Sequence, residues 1–303
     1  MRNTVRSLLP ALFVLTLTAA TGCAPQESSP PSGAGSGTGS GTGSGASGST
    51  AAESCDPGAL PTEAKGKLTV GTDKPAYAPW FQDDDPANGK GFESAVAYAV
   101  AEALGYAKDQ VVWRTVPFNN SVAPGEKSFD FDINQVSISD ARKKAVDFSA
   151  GYYDVRPAVV ALKKSPYAKA RTIADLKGAR LGAQVGSTSL DLIDATIEPK
   201  QRPAVFQKND FAKSALRNGQ VDAIVVDLPT AFYITSAEVT DAEVVGQFVQ
   251  TPGAAEQFGL VLDKDSRLTP CVTRAVEGLR ADGTLAALEK TWLTDAVDVP
   301  VLK

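Results

Sequence analysis

The sequence predicts an α/β protein built as two lobes with a ligand cleft between them. Short apolar strands alternate with amphipathic helices, the pattern of a parallel sheet covered by helices. The alternation runs twice. The one strand and helical pair left over are too little for a third domain, so they are expected to return to the first lobe. The polar and aromatic residues of note fall at strand ends in both halves, where open α/β sheets bind ligands.

The first unit opens with the strand Leu68 to Asp73, which breaks into a loop stiffened by Pro75 and Pro79 and presenting Tyr77, Trp80 and Phe81. A polar turn leads to a helix over 92–104, with Phe92, Val96, Val100 and Leu104 on one face and Gly105 as its stop. A second strand starts at Val111, and Phe118 lies in the loop beyond it. A third covers Phe131 to Ser137, then turns through Ser139-Asp140-Ala141 into Arg142-Lys143-Lys144 and runs on to Tyr152-Tyr153. The second unit begins with the strand Pro157 to Leu162. Thr172 and Asp175 read as a capping-box helix start. A strand over 180–184 runs through Val185-Gly186-Ser187-Thr188-Ser189 into a helix. A helix over 211–218 is stopped by Gly219. The apolar run Val221 to Val226 is a buried strand with Asp227 at its carboxyl end, followed by a helix over 230–236 and a strand near Val244. Last come a strand over 257–262 and helices over 269–281 and 284–292, whose inner positions are expected to be Cys271, Ala275, Leu279, Leu285, Leu288 and Trp292.

A different kind of segment precedes this body. Arg2 and Arg6 followed by LLPALFVLTLTAA read as an export signal. The apolar run is too short for a membrane span and Pro10 interrupts it. It ends at Thr21-Gly22-Cys23, which resembles a bacterial lipobox with Ala20 where leucine is usual. Lipidation of Cys23 is favoured over an ordinary cleaved signal with an incidental cysteine. Ala24 to Ala52 is almost entirely Ser, Gly, Thr, Pro and Ala, a flexible coil suited to a tether. Export places Cys55 and Cys271 in an oxidising compartment. A disulfide between them is favoured over two unpaired thiols, and it would clamp the start of the body to its C-terminal helices.

Composition excludes much chemistry. The formal charge is −5, and loss of Arg2 and Arg6 with the signal takes it to −7. An acidic body without a basic stripe argues against nucleic acid and against an anionic membrane surface as partners. Histidine is absent, which removes Ser-His-Asp and Cys-His catalysis and imidazole metal ligation. There is no cysteine cluster and no glycine-rich phosphate loop. No metal and no cofactor is expected.

What remains is a binding constellation. Arg142, with serine hydroxyls and backbone N–H groups around it, can grip a carboxylate bidentately. The N–H groups near Thr188, at a helix start, can assist. Asp227 can hold an ammonium group. Tyr77, Trp80 and Phe118 can wall the space between. An anion site and a cation site bridged by aromatics suit the zwitterionic backbone of a free amino acid. Each residue alone has a plain alternative: Arg142 as a solvated charge, Asp227 or Thr188 as helix caps, the aromatics as core.

LTVGTDKPAYAPWF, GFESAVAYAVAEALG, VSISDARKKAVDFSAGYY, LGAQVGSTS, VDAIVVD and RADGTLAALEKTWL together resemble the family 3 extracellular solute-binding proteins, the polar-amino-acid receptors of ABC importers. The resemblance covers essentially the whole folded body. It implies a type II periplasmic-binding-protein-like fold with two hinge crossings, near Tyr153 to Pro157 and near Thr251 to Gln257. It implies that Arg142 binds the α-carboxylate with help from Ser137 and Thr188, that Asp227 takes the α-ammonium, that Tyr77, Trp80 and Phe118 sandwich the ligand, and that Asp73 approaches its side chain. The sequence departs from the family at Ala95, where a second acidic residue is usual, and at Ser139-Asp140-Ala141, where Thr-x-Glu is common. Asp132, Asn134 and Gln135 replace small or apolar residues. Asp132 and Asn134 share one strand face and Gln135 the other, so one of these faces is expected to line the pocket.

The expected organisation is a lipoprotein signal over 1–23, a linker over 24–54, lobe 1 over 55–155, lobe 2 over 156–252, and a return to lobe 1 over 253–303. The expected function is reception of a free polar amino acid, at micromolar affinity or tighter, for a membrane permease. The protein would be a monomer that touches the membrane only through its lipid, on the outer face of the bacterial cytoplasmic membrane. The alternatives are an enzyme on the same fold, of cyclohexadienyl dehydratase type, with Glu93, Asp132 or Asp227 as general acid, and an amino-acid-sensing module.

Overall fold

The computed structural model describes residues 54–248, 255–293 and 299–303. The export signal, Cys23 and nearly all of the linker lie outside the described residues, as does most of the second expected crossing. Among the described residues no helix is long and apolar enough to cross a membrane.

Ten strands form: β1 (Leu68–Thr72), β2 (Val111–Thr115), β3 (Phe131–Asp132), β4 (Asp147–Asp154), β5 (Pro157–Leu162), β6 (Leu181–Gln184), β7 (Ala204–Phe206), β8 (Ala223–Asp227), β9 (Ala242–Gln247) and β10 (Gln257–Leu262). They make two five-stranded sheets, ordered β2-β1-β3-β10-β4 and β7-β6-β8-β5-β9. In the first, β1 runs parallel to β2 and β3, while β10 is antiparallel to β3 and β4. In the second, β6 runs parallel to β7 and β8, while β5 is antiparallel to β8 and β9. These are the two expected lobes, and β10 lies in the sheet of the first.

Burial explains the strand patterns. β5 is apolar throughout because both of its faces are covered: Ala158, Val160 and Leu162 join one cluster, Val159 and Ala161 the other. In lobe 1 the helix Phe92–Ala103 lays Phe92, Val96 and Val100 on the sheet, together with Cys271, Val272, Ala275 and Leu279 of the helix Thr269–Ala281. Leu285 is buried in the same core, and Leu288 and Trp292 pack against it.

Three features depart from the expected elements. β3 is two residues long rather than seven, because Gln135 turns into the left-handed region (φ 49°) and its N–H leaves the ladder to donate to Glu93 Oε1 at 2.7 Å. A single bridge, Ser137 to Phe258, resumes the pairing. β4 and β7 were not anticipated. β4 carries Ser149 and Gly151 amid its apolar residues, and β7 has only three residues with Val205 pointing outward.

The chain also ends differently from the expected return to lobe 1. Residues 255–293 belong to lobe 1, but Val301 pairs with Gln247, Leu302 enters the lobe 2 core, and the Lys303 carbonyl accepts the Ile173 N–H at 3.1 Å. The described residues on the two sides of 294–298 thus belong to different lobes.

Cys55 and Cys271 form a disulfide, with Cα atoms 5.5 Å apart and 216 residues between them in sequence. A loop of that length restricts the unfolded chain by about 5 kcal/mol at most in the chain-entropy account. Replacing both cysteines with alanine is expected to lower unfolding stability by up to about that amount, measured by urea denaturation with and without reductant. The double variant should be insensitive to reductant.

Candidate functional site

A hollow opens where the strand ends of the two sheets face each other. It encloses about 620 Å³ of space including its mouth, within the range of small-molecule sites. Asp73, Tyr77, Phe118, Ser137, Arg142, Thr188 and Asp227 all line it. Seven of the eight residues expected at the cleft thus come together from both lobes.

Arg142 sits on the short helical turn Arg142–Lys144, with the Ser137 carbonyl and the Ser139 hydroxyl beside it. Its Nη1 donates to the Ser137 carbonyl at 2.6 Å, and its Nη2 crosses the cleft to the Gly186 carbonyl at 2.9 Å. The guanidinium lies 5.6 Å from the centre of the Phe118 ring, a cation–π arrangement. Burial holds it below its usual range, against the charges of Glu256, Asp191 and Asp227. Gly186 presents its carbonyl from a left-handed turn (φ 71°). A Cβ there would lie 2.5 Å from Asn119 Oδ1, so the turn requires glycine.

Beside Arg142, the hydroxyls of Ser137 and Thr188 meet across the cleft at 3.2 Å. The cap of the helix Thr188–Leu192 is Ser187, whose hydroxyl accepts the Leu190 N–H. Thr188 is therefore not a cap, and its side chain is left for the cleft.

Asp227 ends β8 and precedes the helix Leu228–Tyr233, yet its carboxylate makes no capping bond there. The helix-cap alternative for Asp227 falls with that. The side chain keeps some surface toward the hollow but is enclosed by protein otherwise. Burial, then the charges of Glu256 and Glu93, push its carboxyl up to about 8. No lysine or arginine forms a salt bridge with it among the described residues.

Trp80 was expected to wall the ligand and does not. It is fully buried in the lobe 1 core, edge-on to Phe92, Tyr153 and Phe258. The cause is local. The Trp80 carbonyl accepts the N–H groups of Glu93 and Ser94 at the start of the helix, which holds the residue at the helix base. Its indole N–H donates to Thr230 Oγ1 at 2.8 Å in lobe 2, a contact between lobes rather than a contact with the hollow. Tyr77 and Phe118 remain as the aromatic walls. The ammonium group of Lys213 stands 5.0 Å from the Tyr77 ring centre and is paired with Asp210 and Glu238.

Sequence reading missed several lining residues, among them Lys208, Asn209 and Gln184. Lys208 follows the unanticipated strand β7, so its placement had no signal. Its ammonium lies 3.6 Å from Asp73 Oδ1 and also donates to the Lys74 carbonyl. Asn134 and Gln135 both line the hollow, because the left-handed turn at Gln135 breaks the strand alternation that would have sent them to opposite faces. Asp132 does not line it. It is fully buried over Gly71, where an added Cβ would come within 2.7 Å of Asp132 Oδ2. Burial, with Glu93 and Asp73 nearby, holds its carboxyl well above the usual range. Glu93 is also fully buried, and it accepts from Gln135 N–H, Gln135 Nε2 and the Tyr152 hydroxyl.

Comparison with known proteins agrees with this geometry. Residues 68–295 match the bacterial extracellular solute-binding proteins, family 3. The chain belongs to that family. The L-cystine-binding protein TcyJ of Escherichia coli K12 is 30% identical over 233 residues, 75% of this chain and 83% of that protein. The arginine-binding extracellular protein ArtP of Bacillus subtilis 168 is 28% identical over 251 residues, 81% of this chain and 92% of that protein. Among solved structures, an ancestral arginine-binding protein bound to arginine superposes with a TM-score of 0.63 at 28% identity, over 76% of this chain and 99% of that one. The ancestral amino acid-binding protein AncCDT-1, a precursor of cyclohexadienyl dehydratase, gives 0.62 at 28% identity, over 76% and 96%. The fold is thus the type II arrangement that the sequence resemblance implied.

The buried Glu93 has a measurable consequence. Burial pushes its carboxyl up to about 7 from an ordinary 4.5. Because the folded value is the higher one, the stability tied to its proton is fully present below about 4.5 and is lost as pH rises through about 7. Glu93→Gln should flatten the fall of unfolding free energy over that interval, measured by urea denaturation at a series of pH values.

Proposed function

We propose that this protein receives a free polar amino acid in the cleft and hands it to the permease of an ABC importer without changing it chemically. The observation that carries this reading is that Arg142 and Asp227 line one hollow, while no lysine or arginine forms a salt bridge with Asp227 among the described residues. A carboxylate largely enclosed by protein calls for a cation. An α-ammonium supplies it, while the α-carboxylate of the same ligand meets Arg142, Ser137 and Thr188. Tyr77 and Phe118 flank the space between, and Asp73 lies at the side-chain end.

Bonds between the lobes at Arg142–Gly186, Ser137–Thr188 and Trp80–Thr230 describe a closed cleft, the state that domain closure around a ligand produces. The relatives' names, cystine- and arginine-binding, support an amino acid as the ligand. We further infer that Cys23 carries a lipid, that the segment after it tethers the body to the outer face of the cytoplasmic membrane, and that the protein works as a monomer. The reading as a non-enzyme is favoured by the placement of acids. Of Glu93, Asp132 and Asp227, only Asp227 lines the hollow, and the ammonium site occupies it.

Titration calorimetry of the purified protein, stripped of ligand by unfolding and refolding, against each common amino acid tests the proposal. One or a few polar amino acids should bind at micromolar affinity or tighter, about −8 kcal/mol or more. Arg142→Ala and Asp227→Asn should each cost about 2–5 kcal/mol, a loss of thirtyfold or more. Silence across the panel, together with turnover of prephenate or arogenate, would favour the dehydratase instead.

A further inference from the structure

The side-chain end of the hollow carries a feature that the head-group site does not explain. Asp73, from the end of β1 in lobe 1, faces Lys208, from the end of β7 in lobe 2, at 3.6 Å. Asp73 Oδ2 also accepts the Phe118 N–H at 3.3 Å, and Oδ1 accepts the Lys74 N–H at 2.6 Å. Lys208 donates to the Lys74 carbonyl as well, which holds its ammonium beside the carboxylate. In lobe 2, β7 and β8 flank β6, so their ends lie two strand spacings apart, about 10 Å. The Asp73–Lys208 pair and Asp227 line the same hollow.

An unpaired Asp73 would favour a cationic tip. Paired with Lys208, it presents no net charge, and a second cation brought to it meets the lysine ammonium. Another residue lining the hollow points the same way. Asn134 is 8% exposed and lines the hollow, and its amide nitrogen has no hydrogen-bond partner among the described residues. A buried donor of that kind asks for an acceptor on the ligand, which a guanidinium or ammonium tip lacks. The site thus offers donors from Lys208 and Asn134 and an acceptor from Asp73.

We propose that Lys208 turns Asp73 from a cation selector into half of a dipole, so that the ligand's side chain ends in a group without net charge that both accepts and donates. Two kinds of amino acid carry such an end: those with a carboxamide or ureido group, and those whose side chain terminates in a second amino-acid head group. The inference rests on the amino-acid reading of the cleft.

The test is calorimetry of the stripped protein, as the wild type and as Lys208→Met, Lys208→Gln and Lys208→Arg, against glutamine, citrulline, cystine, arginine, lysine and glutamate. The wild type is expected to bind glutamine or citrulline, or else cystine, at least tenfold more tightly than arginine, lysine or glutamate. Which of the two arms binds identifies the source of the dipole. Lys208→Met and Lys208→Gln should each shift the ratio of arginine to neutral-ligand affinity at least tenfold toward arginine, and Lys208→Arg should keep the wild-type order. If Lys208 were only a latch between the lobes, its loss would weaken every ligand alike and leave the ratio unchanged, which overturns the proposal. Wild-type preference for arginine or lysine overturns it too, while leaving the amino-acid reading intact. No binding to any amino acid overturns both.

Discussion

Closing two lobes over Asp227 takes a carboxylate out of water, and the rest of the site follows from how that charge is answered. No lysine or arginine forms a salt bridge with it among the described residues, and its carboxyl is driven up to about 8. Arg142 is likewise enclosed, though held by two carbonyls and the Phe118 ring. A carboxyl enclosed in this way, with no salt bridge among the described residues, is costly in an empty cleft. A zwitterion answers both charges at once, so ligand and closure are expected to stabilise each other. Among the charged side chains that line the hollow, Asp73 and Lys208 answer each other directly across the gap, and this makes the far end of the site different in kind from its head-group end.

The frame that delivers these groups is apolar and tightly tied. Trp80, Phe92, Tyr153 and Phe258 pack edge to face under the cleft. The backbone of Pro79 and Trp80 accepts the N–H groups at the start of the helix Phe92–Ala103. The same helix start brings in Glu93, which gathers Gln135 and Tyr152. That contact bends the chain out of β3 and sets the course of the segment leading to Ser137 and Arg142. A buried acid outside the hollow thereby shapes the anion end of it. The disulfide between Cys55 and Cys271 joins the start of the body to the helix Thr269–Ala281, which packs into the same core.

The parts of this architecture that depend on periodicity were legible in the sequence. β5 and β8 are continuous apolar runs, the helix at 92 repeats every four residues, and Gly, Pro and Ser mark the turns. The head-group residues were legible because strand-end polar residues in both halves point to one cleft. What escaped reading has physical causes. β7 is too short and too exposed to show a pattern, so Lys208 behind it went unseen. Gln135 adopts a left-handed conformation because of a bond to Glu93, forty-two residues away in sequence, and no local signal marks that. Trp80 looked like a wall because aromatics in a proline-rich loop resemble a binding surface. Its backbone bonds to the following helix decide otherwise. Asp132 had the composition of a site residue, but a face assignment from strand alternation cannot survive a strand that ends after two residues.

The central claim is that a zwitterion closes the lobes by answering Asp227 and Arg142. The measurement that tests it most directly is small-angle X-ray scattering of the stripped protein before and after addition of the amino acid that binds it. The account predicts that the radius of gyration falls on addition, and that Asp227→Asn fails to contract at the same ligand concentration. An unchanged radius of gyration while calorimetry records saturation would contradict it.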